Sequence, residues 1–233
     1  MLILVIITAN IILQVRADKV SDINFQDNSG ETYIYTASYS GKTDVVIELL
    51  DEGANPDIPK KYGQTPLMAA TSGGHLSTVQ ALLNGKANVT LTNNDGETVL
   101  TYAARSGRSE IAKILVEAGA DKDVQDEAGE TPIYEASNRG NPNVVTVLLD
   151  AGANPDIPKK YGRTPLMAAT LGGHLNTVQV LLAGKANVTL SDSDGETALI
   201  YAAKTGRSEI AKLLVEAGAD KDVQDKAGET PIY

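Results

Sequence analysis

Between Gly63 and Asp95 the apolar residues fall into two clusters separated by glycines. Leu67, Ala69 and Ala70 follow directly on Thr65-Pro66, and Gly73-Gly74 interrupts them. The spacing predicts a short helix whose small side chains permit close packing. Thr65 suits its N-cap, and Pro66 suits its first position, where a missing N–H costs nothing. Leu76, Val79, Leu82 and Leu83 then return at helical spacing, which predicts a second helix with one apolar face toward its neighbours and Gly85 closing it. An extended polar segment, Asn88 to Asp95, leads to the next turn, in which glycine tolerates positive φ.

This pattern repeats. Gly30, Gly63, Gly96, Gly129, Gly162, Gly195 and Gly228 are each 33 residues apart, and Gly63-Gln-Thr-Pro-Leu-Met-Ala-Ala70 returns as Gly162-Arg-Thr-Pro-Leu-Met-Ala-Ala169. A constant period in this range marks stacked units that bury their apolar faces only against one another. A second period of 99 residues lies on the first: Asn55 to Gly63 recurs as 154–162, and Lys86 to Leu91 as 185–190. Roughly three quarters of positions 31–129 equal their partners in 130–228, which points to duplication of a three-unit block.

The turn, helix, turn, helix, extended-tip unit resembles the ankyrin repeat. The residues that carry the likeness are Gly-x-Thr-Pro-Leu-x-x-Ala at 63–70 and 162–169, Gly-His-Leu at 74–76 and 173–175, and Glu-Ala-Gly-Ala-Asp at 117–121 and 216–220. The resemblance implies an all-α solenoid of paired antiparallel helices with β-hairpin-like tips. Units are expected at 27–59, 60–92, 93–125, 126–158, 159–191 and 192–224, with a partial unit at 225–233 after a lead-in at 18–26. The family's usual His after Thr-Pro-Leu is replaced by Met68, Thr101, Tyr134, Met167 or Ile200. That substitution removes a side-chain tie between neighbouring turns and predicts less rigid tips.

Composition narrows the function. A formal charge of -10 lacks the basic stripe that a sequence-independent nucleic-acid binder needs. The absence of cysteine removes disulfides, thiolate catalysis and thiolate metal sites. Large aromatics are scarce, with one Phe and no Trp, as small stacked helices require, whereas Tyr occurs nine times. The run Leu2 to Val15, broken by Asn10 and Gln14, is too short to span a bilayer comfortably. It reads as a signal peptide over 1–17 with cleavage after Ala17, against which stand the lack of a preceding Lys or Arg and the alternatives of an uncleaved anchor or an unstructured start. Export is therefore the expectation, with a cytoplasmic location otherwise.

No constellation for catalysis survives inspection. His75 and His174 share one repeat position and have no partners at ligand spacing, so closing a helix–helix turn explains both. Ser-Gly-Lys-Thr at 40–43 mimics the end of a phosphate loop, but Thr36 stands where its first glycine belongs. Asp121 to Asp126 has the wrong acid spacing for a calcium loop, and its acids are expected to cap turns. Asn88-Val-Thr90 and Asn187-Val-Thr189 are glycosylation sequons, relevant only in a eukaryotic secretory pathway. The expectation is a non-enzymatic monomer without cofactors that binds another protein.

The resemblance also implies where. Partners of such proteins dock on the tips and the adjoining first-helix face. Carried onto this chain, the candidate residues are Tyr39, Lys61, Tyr62, Gln64, Arg105, Asn138, Arg139, Lys160, Tyr161, Arg163 and Leu171. Between the duplicated blocks such positions differ often: Tyr39 becomes Asn138, Ser40 Arg139, Gln64 Arg163 and Ser72 Leu171. Diversified recognition and relaxed packing would both produce this. The Lys-Lys-Tyr tips at 60–62 and 159–161 are retained, combining rigid aromatic area with charge that suits an acidic or amphipathic partner. A second reading is that the chain is one recognition segment of a larger channel, toxin or multidomain enzyme, since it stops inside the first helix of a unit.

Overall fold

In the computed structural model, which describes residues 22–231, twelve α-helices and two short 3-10 turns carry the regular structure. The proposed signal peptide, residues 18–21 of the lead-in, and Ile232 and Tyr233 lie outside the described residues. The helices are α1 (Tyr33–Tyr39), α2 (Thr43–Asp51), α3 (Pro66–Gly73), α4 (Leu76–Asn84), α5 (Val99–Arg105), α6 (Ser109–Glu117), α7 (Pro132–Asn138), α8 (Pro142–Asp150), α9 (Pro165–Gly172), α10 (Leu175–Ala183), α11 (Ala198–Lys204) and α12 (Ser208–Glu216). Odd-numbered helices are the first of each pair. The only bridges among the described residues are Thr92 with Thr98 and Ser191 with Thr197. The chain divides between Val99 and Leu100 into two compact units.

Local chemistry sets the helix boundaries much as the sequence predicts. Thr32, Thr65, Thr131, Thr164 and Thr197 each accept, through the side-chain oxygen, the N–H three residues on. Such a cap is worth about 1 kcal/mol. The sequence reading of α4 needs one correction. Leu76 is exposed and Leu83 half-buried, while Thr78, Val79, Ala81 and Leu82 are buried, so the inward stripe is rotated toward 78–82. Gly85 closes the helix as its C-cap, as the sequence predicts. Its φ is -76°, and Lys86 takes the positive value of 62° instead. A Cβ on Gly85 would lie 2.7 Å from Leu50 Cδ1 of α2, so a larger residue here would require that side chain to move.

In the first unit α1 packs on α3 and α2 on α4. Ile34, Tyr35, Val45, Val46, Leu49, Leu67, Met68, Val79 and Leu82 form its dry interior. In the second unit α7 packs on α9 and α9 on α11, while α6, α8, α10 and α12 form the other layer. Leu115, Ile133, Tyr134, Leu148, Leu166, Leu181 and Leu214 fill it. First helices are enclosed nearly all round: every residue from Pro66 to Thr71 is buried. A helix held on all sides needs apolar or small residues at every position, which is what Pro-Leu-Met-Ala-Ala supplies.

Candidate functional site

Each tip is a tight turn closed by two backbone bonds. In the tip at 93–97, Asn93 N–H donates to Glu97 O, and Gly96 N–H to Asn93 O. Where the tip starts with Asp or Asn, its Oδ1 also accepts N–H groups two and four residues on, as Asp126 does from Ala128 and Glu130. Lysine carries no acceptor, so the tips beginning at Lys60 and Lys159 cannot be held this way. They form 3-10 turns in which Tyr62 and Tyr161 adopt φ of 67° and 69°. A bulky L-residue in that region is a genuine outlier, costing about 1–2 kcal/mol. Both rings nevertheless stand in solvent, at 76% and 82% exposure.

Neighbouring tips are joined directly. Asn94 N–H donates to Tyr62 O in the first unit. In the second, Lys160 N–H donates to Ala128 O, Ser193 N–H to Tyr161 O, and Lys226 N–H to Asp194 O. Gln26 and Gln125 add side-chain bonds to Pro59 O and Pro158 O of the following tip. The tie expected to vanish with the missing histidine is thus supplied by other groups. His75 and His174 also do more than close a local turn: each Nε2 bonds the carbonyl ending the preceding first helix, Tyr39 O at 3.1 Å and Asn138 O at 3.2 Å. In the calcium-like segment Asp121 and Asp126 cap turns, accepting from Asp123 N–H and from Ala128 and Glu130 N–H, whereas Asp123 Oδ1 accepts from Asn154 N–H of the next repeat.

The candidate residues separate into two groups. Tyr39, Lys61, Tyr62, Asn138, Arg139, Lys160, Tyr161 and Leu171 are exposed. Gln64, Arg105 and Arg163 are half-buried, and each makes a polar contact inside the protein. Gln64 Oε1 accepts from Tyr35 Oη at 2.7 Å, and Arg163 Nη2 donates to Tyr201 Oη at 3.0 Å with its guanidinium over the Tyr201 ring. Arg105 Nε donates to Glu135 Oε1 at 2.7 Å.

The sequence reading missed the partners beneath these residues. Lys60 Nζ lies 4.8 Å from the centre of the Tyr35 ring and 3.4 Å from Glu31 Oε1. Lys159 repeats the arrangement with Tyr134 at 5.1 Å and Glu130 at 2.9 Å. The Tyr35 phenol, then Glu31, hold the Lys60 ammonium above its ordinary pKa. At Lys159 burial pulls downward, but Glu130 and Tyr134 outweigh it. Burial pushes the Tyr134 phenol up. The first lysine of each Lys-Lys-Tyr tip is therefore an internal strut, and only the second faces solvent. Glu135 was missed as well. At 3% exposure it receives both Arg105 Nε and Arg139 Nε, the latter at 3.1 Å. The i, i+4 spacing of Glu135 and Arg139 was a readable signal; the contribution of Arg105, 30 residues earlier, was not.

These repeats match a family model described as ankyrin repeats (3 copies) over residues 5–93, 34–126, 72–159 and 133–225, and the chain belongs to the ankyrin-repeat family. Its structure is similar to the crystal structure of the ankyrin repeat domain of Bcl-3, a member of the IkappaB protein family. The TM-score is 0.79 at 28% identity, covering 88% of this chain and 93% of that one. No curated protein sequence matches the chain. The fold is the ankyrin-repeat solenoid. Ankyrin repeats generally mediate protein–protein interaction, and such domains are typically non-catalytic. Among the described residues no helix is long and apolar enough to cross a membrane.

Proposed function

We propose that this chain is a non-enzymatic scaffold whose protein partner docks on the exposed tips, anchored by Lys61-Tyr62 and Lys160-Tyr161. The supporting observation is the state of the two tyrosines. Each occupies a left-handed backbone position and leaves its ring almost wholly in water. The fold uses the backbone carbonyls of these residues but does not require tyrosine, since glycine or asparagine would relieve the backbone and the ring buries little. Strain concentrates at functional positions, and tyrosine is among the residues that dominate protein interfaces. Tyr39 and Leu171, exposed at the ends of α1 and α9, extend the apolar part of the same surface.

The test is capture of the native partner from extract by the mature chain. Replacing Lys61 and Tyr62, or Lys160 and Tyr161, by Ala should abolish or weaken capture while the unfolding midpoint stays close to wild type. Undiminished capture by both double variants would place recognition elsewhere. The same proposal includes export with cleavage after Ala17. Mass spectrometry of the native protein should find Ala17 absent; an intact species carrying Met1 overturns that part.

A further inference from the structure

The segment that leaves each second helix carries a joint to the next repeat. Asp57 Oδ1 accepts Asn88 N–H at 2.8 Å, Asp123 Oδ1 accepts Asn154 N–H at 2.9 Å, and Asp156 Oδ1 accepts Asn187 N–H at 2.8 Å. At the same repeat position Thr90 and Thr189 stand where the chain otherwise has Asp57, Asp123, Asp156 and Asp222. A hydroxyl is a weaker acceptor than a carboxylate. Here it also turns back on its own segment: Thr90 Oγ1 donates to Asn88 Oδ1 and Thr189 Oγ1 to Asn187 Oδ1, each at 2.8 Å. Stacking alone favours aspartate, so it does not account for threonine at these two positions.

We propose that Asn88 and Asn187 are modified by N-linked oligosaccharide. The inference rests on the export part of the reading above and adds a covalent site that neither docking nor export requires. Each threonine completes an Asn-x-Thr acceptor, with Val89 or Val188 in the middle position, which only proline bars. Asn55 and Asn154, at the same repeat position as Asn88 and Asn187, are followed by Pro and then Asp and so lack the motif. No other Asn-x-Ser/Thr occurs in the chain. The exchange of Asp for Thr thus falls only where the residue two places earlier is an asparagine free of a following proline.

The folded geometry leaves room for the sugar. Asn88, Thr90, Asn187 and Thr189 are all exposed. Each asparagine Oδ1 is occupied by the hydroxyl and by the backbone N–H of its threonine, the latter at 2.9 Å. Each Nδ2 has no hydrogen-bond partner among the described residues. Transfer uses that nitrogen. Nδ2 bonds to C1 of an oligosaccharide carried on a polyprenyl diphosphate, and the C1–O bond breaks. The diphosphate leaves with the electron pair, and one Nδ2 proton passes to a base of the transferase. The turn keeps both bonds to Oδ1, and the joint from the asparagine N–H to Asp57 or Asp156 is untouched. Fold and modification therefore use different atoms of one residue.

The test is peptide-mapping mass spectrometry of the protein from its native source, before and after peptide-N-glycosidase, which removes the sugar and leaves aspartate. Both Asn88 and Asn187 should carry oligosaccharide. Thr90→Asp and Thr189→Asp, expressed in the same cells, should each abolish modification at their own site while the unfolding midpoint holds or rises, because the joint acceptor is restored. Should those variants fold poorly, Asn88→Gln and Asn187→Gln must remove the same sugar. A protein that starts at Asp18 with both asparagines bare overturns this inference and leaves export standing. One that keeps Met1 with both bare overturns export as well. Sugar at one site alone, or sugar that survives the aspartate variants, also overturns the inference, since the two sites share one geometry and one motif.

Discussion

Glycine recurs every 33 residues because the backbone of one tip lies against the next, and a series of alanine substitutions tests this quantitatively. At Gly129, φ is +80°, and an added Cβ would lie 2.9 Å from Lys160 N and 3.3 Å from Lys159 Cα. At Gly119, φ is +90° and nothing lies within 4 Å. Both substitutions force an L-residue into the left-handed region, at about 1–2 kcal/mol, partly offset by about 0.4–1 kcal/mol from a less free unfolded chain. Gly119→Ala should therefore cost about 0.5–1 kcal/mol.

Gly129→Ala adds two terms. The clash is with backbone, which cannot rotate away as a side chain can, and overpacking of this kind costs about 1–3 kcal/mol. Moving the tips apart also strains the bond from Lys160 N–H to Ala128 O, worth about 1 kcal/mol. The expected total is about 3 kcal/mol. Gly63→Ala, whose Cβ would meet Asn93 Cα and Asn94 N at 2.9 Å, belongs with Gly129→Ala, and Gly53→Ala with Gly119→Ala. Urea unfolding followed by circular dichroism is the assay. Equal losses at Gly119 and Gly129 would refute the close-approach explanation and leave backbone conformation as the whole reason for the period.

Lys60, Lys159 and Lys204 and the phenols of Tyr134 and Tyr201 all hold protons more tightly in the folded chain than the ordinary values of 10.5 and 10.0. Their contribution is complete below pH 10 and is lost as pH rises through the raised values, so the thermal midpoint should fall steadily above pH 10. Asp225, held below 3.8 first by its bond from Lys204, gives the opposite arm: its contribution is present above 3.8 and is lost as pH falls further. A calorimetric midpoint that stays level well above pH 10 would contradict the assignment. His174→Ala should cost about 2 kcal/mol in urea unfolding, from one hydrogen bond and the ring packed against Gly140 and Gly172. A change under a few tenths of a kcal/mol would mean the histidine does not join neighbouring units.

What the sequence revealed follows the range of each interaction. Helix caps and turn glycines are local, so Thr65, Pro66 and Gly74 could be placed from spacing alone. The family followed from their recurrence. The α4 stripe was misplaced by a fraction of a turn because Leu76, in the first turn, lies where the neighbour no longer covers it. Side chains that meet across units are about thirty residues apart in sequence: Glu31 with Lys60, Arg105 with Glu135, Tyr35 with Gln64. No periodicity shows that Lys60 turns inward over Tyr35, although the resemblance selects Lys61 rather than Lys60 as a candidate. The left-handed tyrosines were hidden for a similar reason. Their conformation follows from Lys60 and Lys159 lacking the acceptor that Asp or Asn provides at the other tips.

The two blocks also explain how such a surface can change without loss of fold. Asn55 N–H donates to Asn24 Oδ1 and Asn88 N–H to Asp57 Oδ1 in the first unit. Asn154 N–H donates to Asp123 Oδ1 and Asn187 N–H to Asp156 Oδ1 in the second. With the tip bonds and the first-helix caps, these joints hold neighbouring repeats through backbone and short polar groups. None of them uses the side chains at 36, 40 and 64 or at 135, 139 and 163. Thr36 can therefore become Glu135, and Ser40 Arg139, with register and core preserved. The joints fix the geometry, and the side chains at these positions, whether buried like Glu135 or exposed like Arg139, vary without disturbing it.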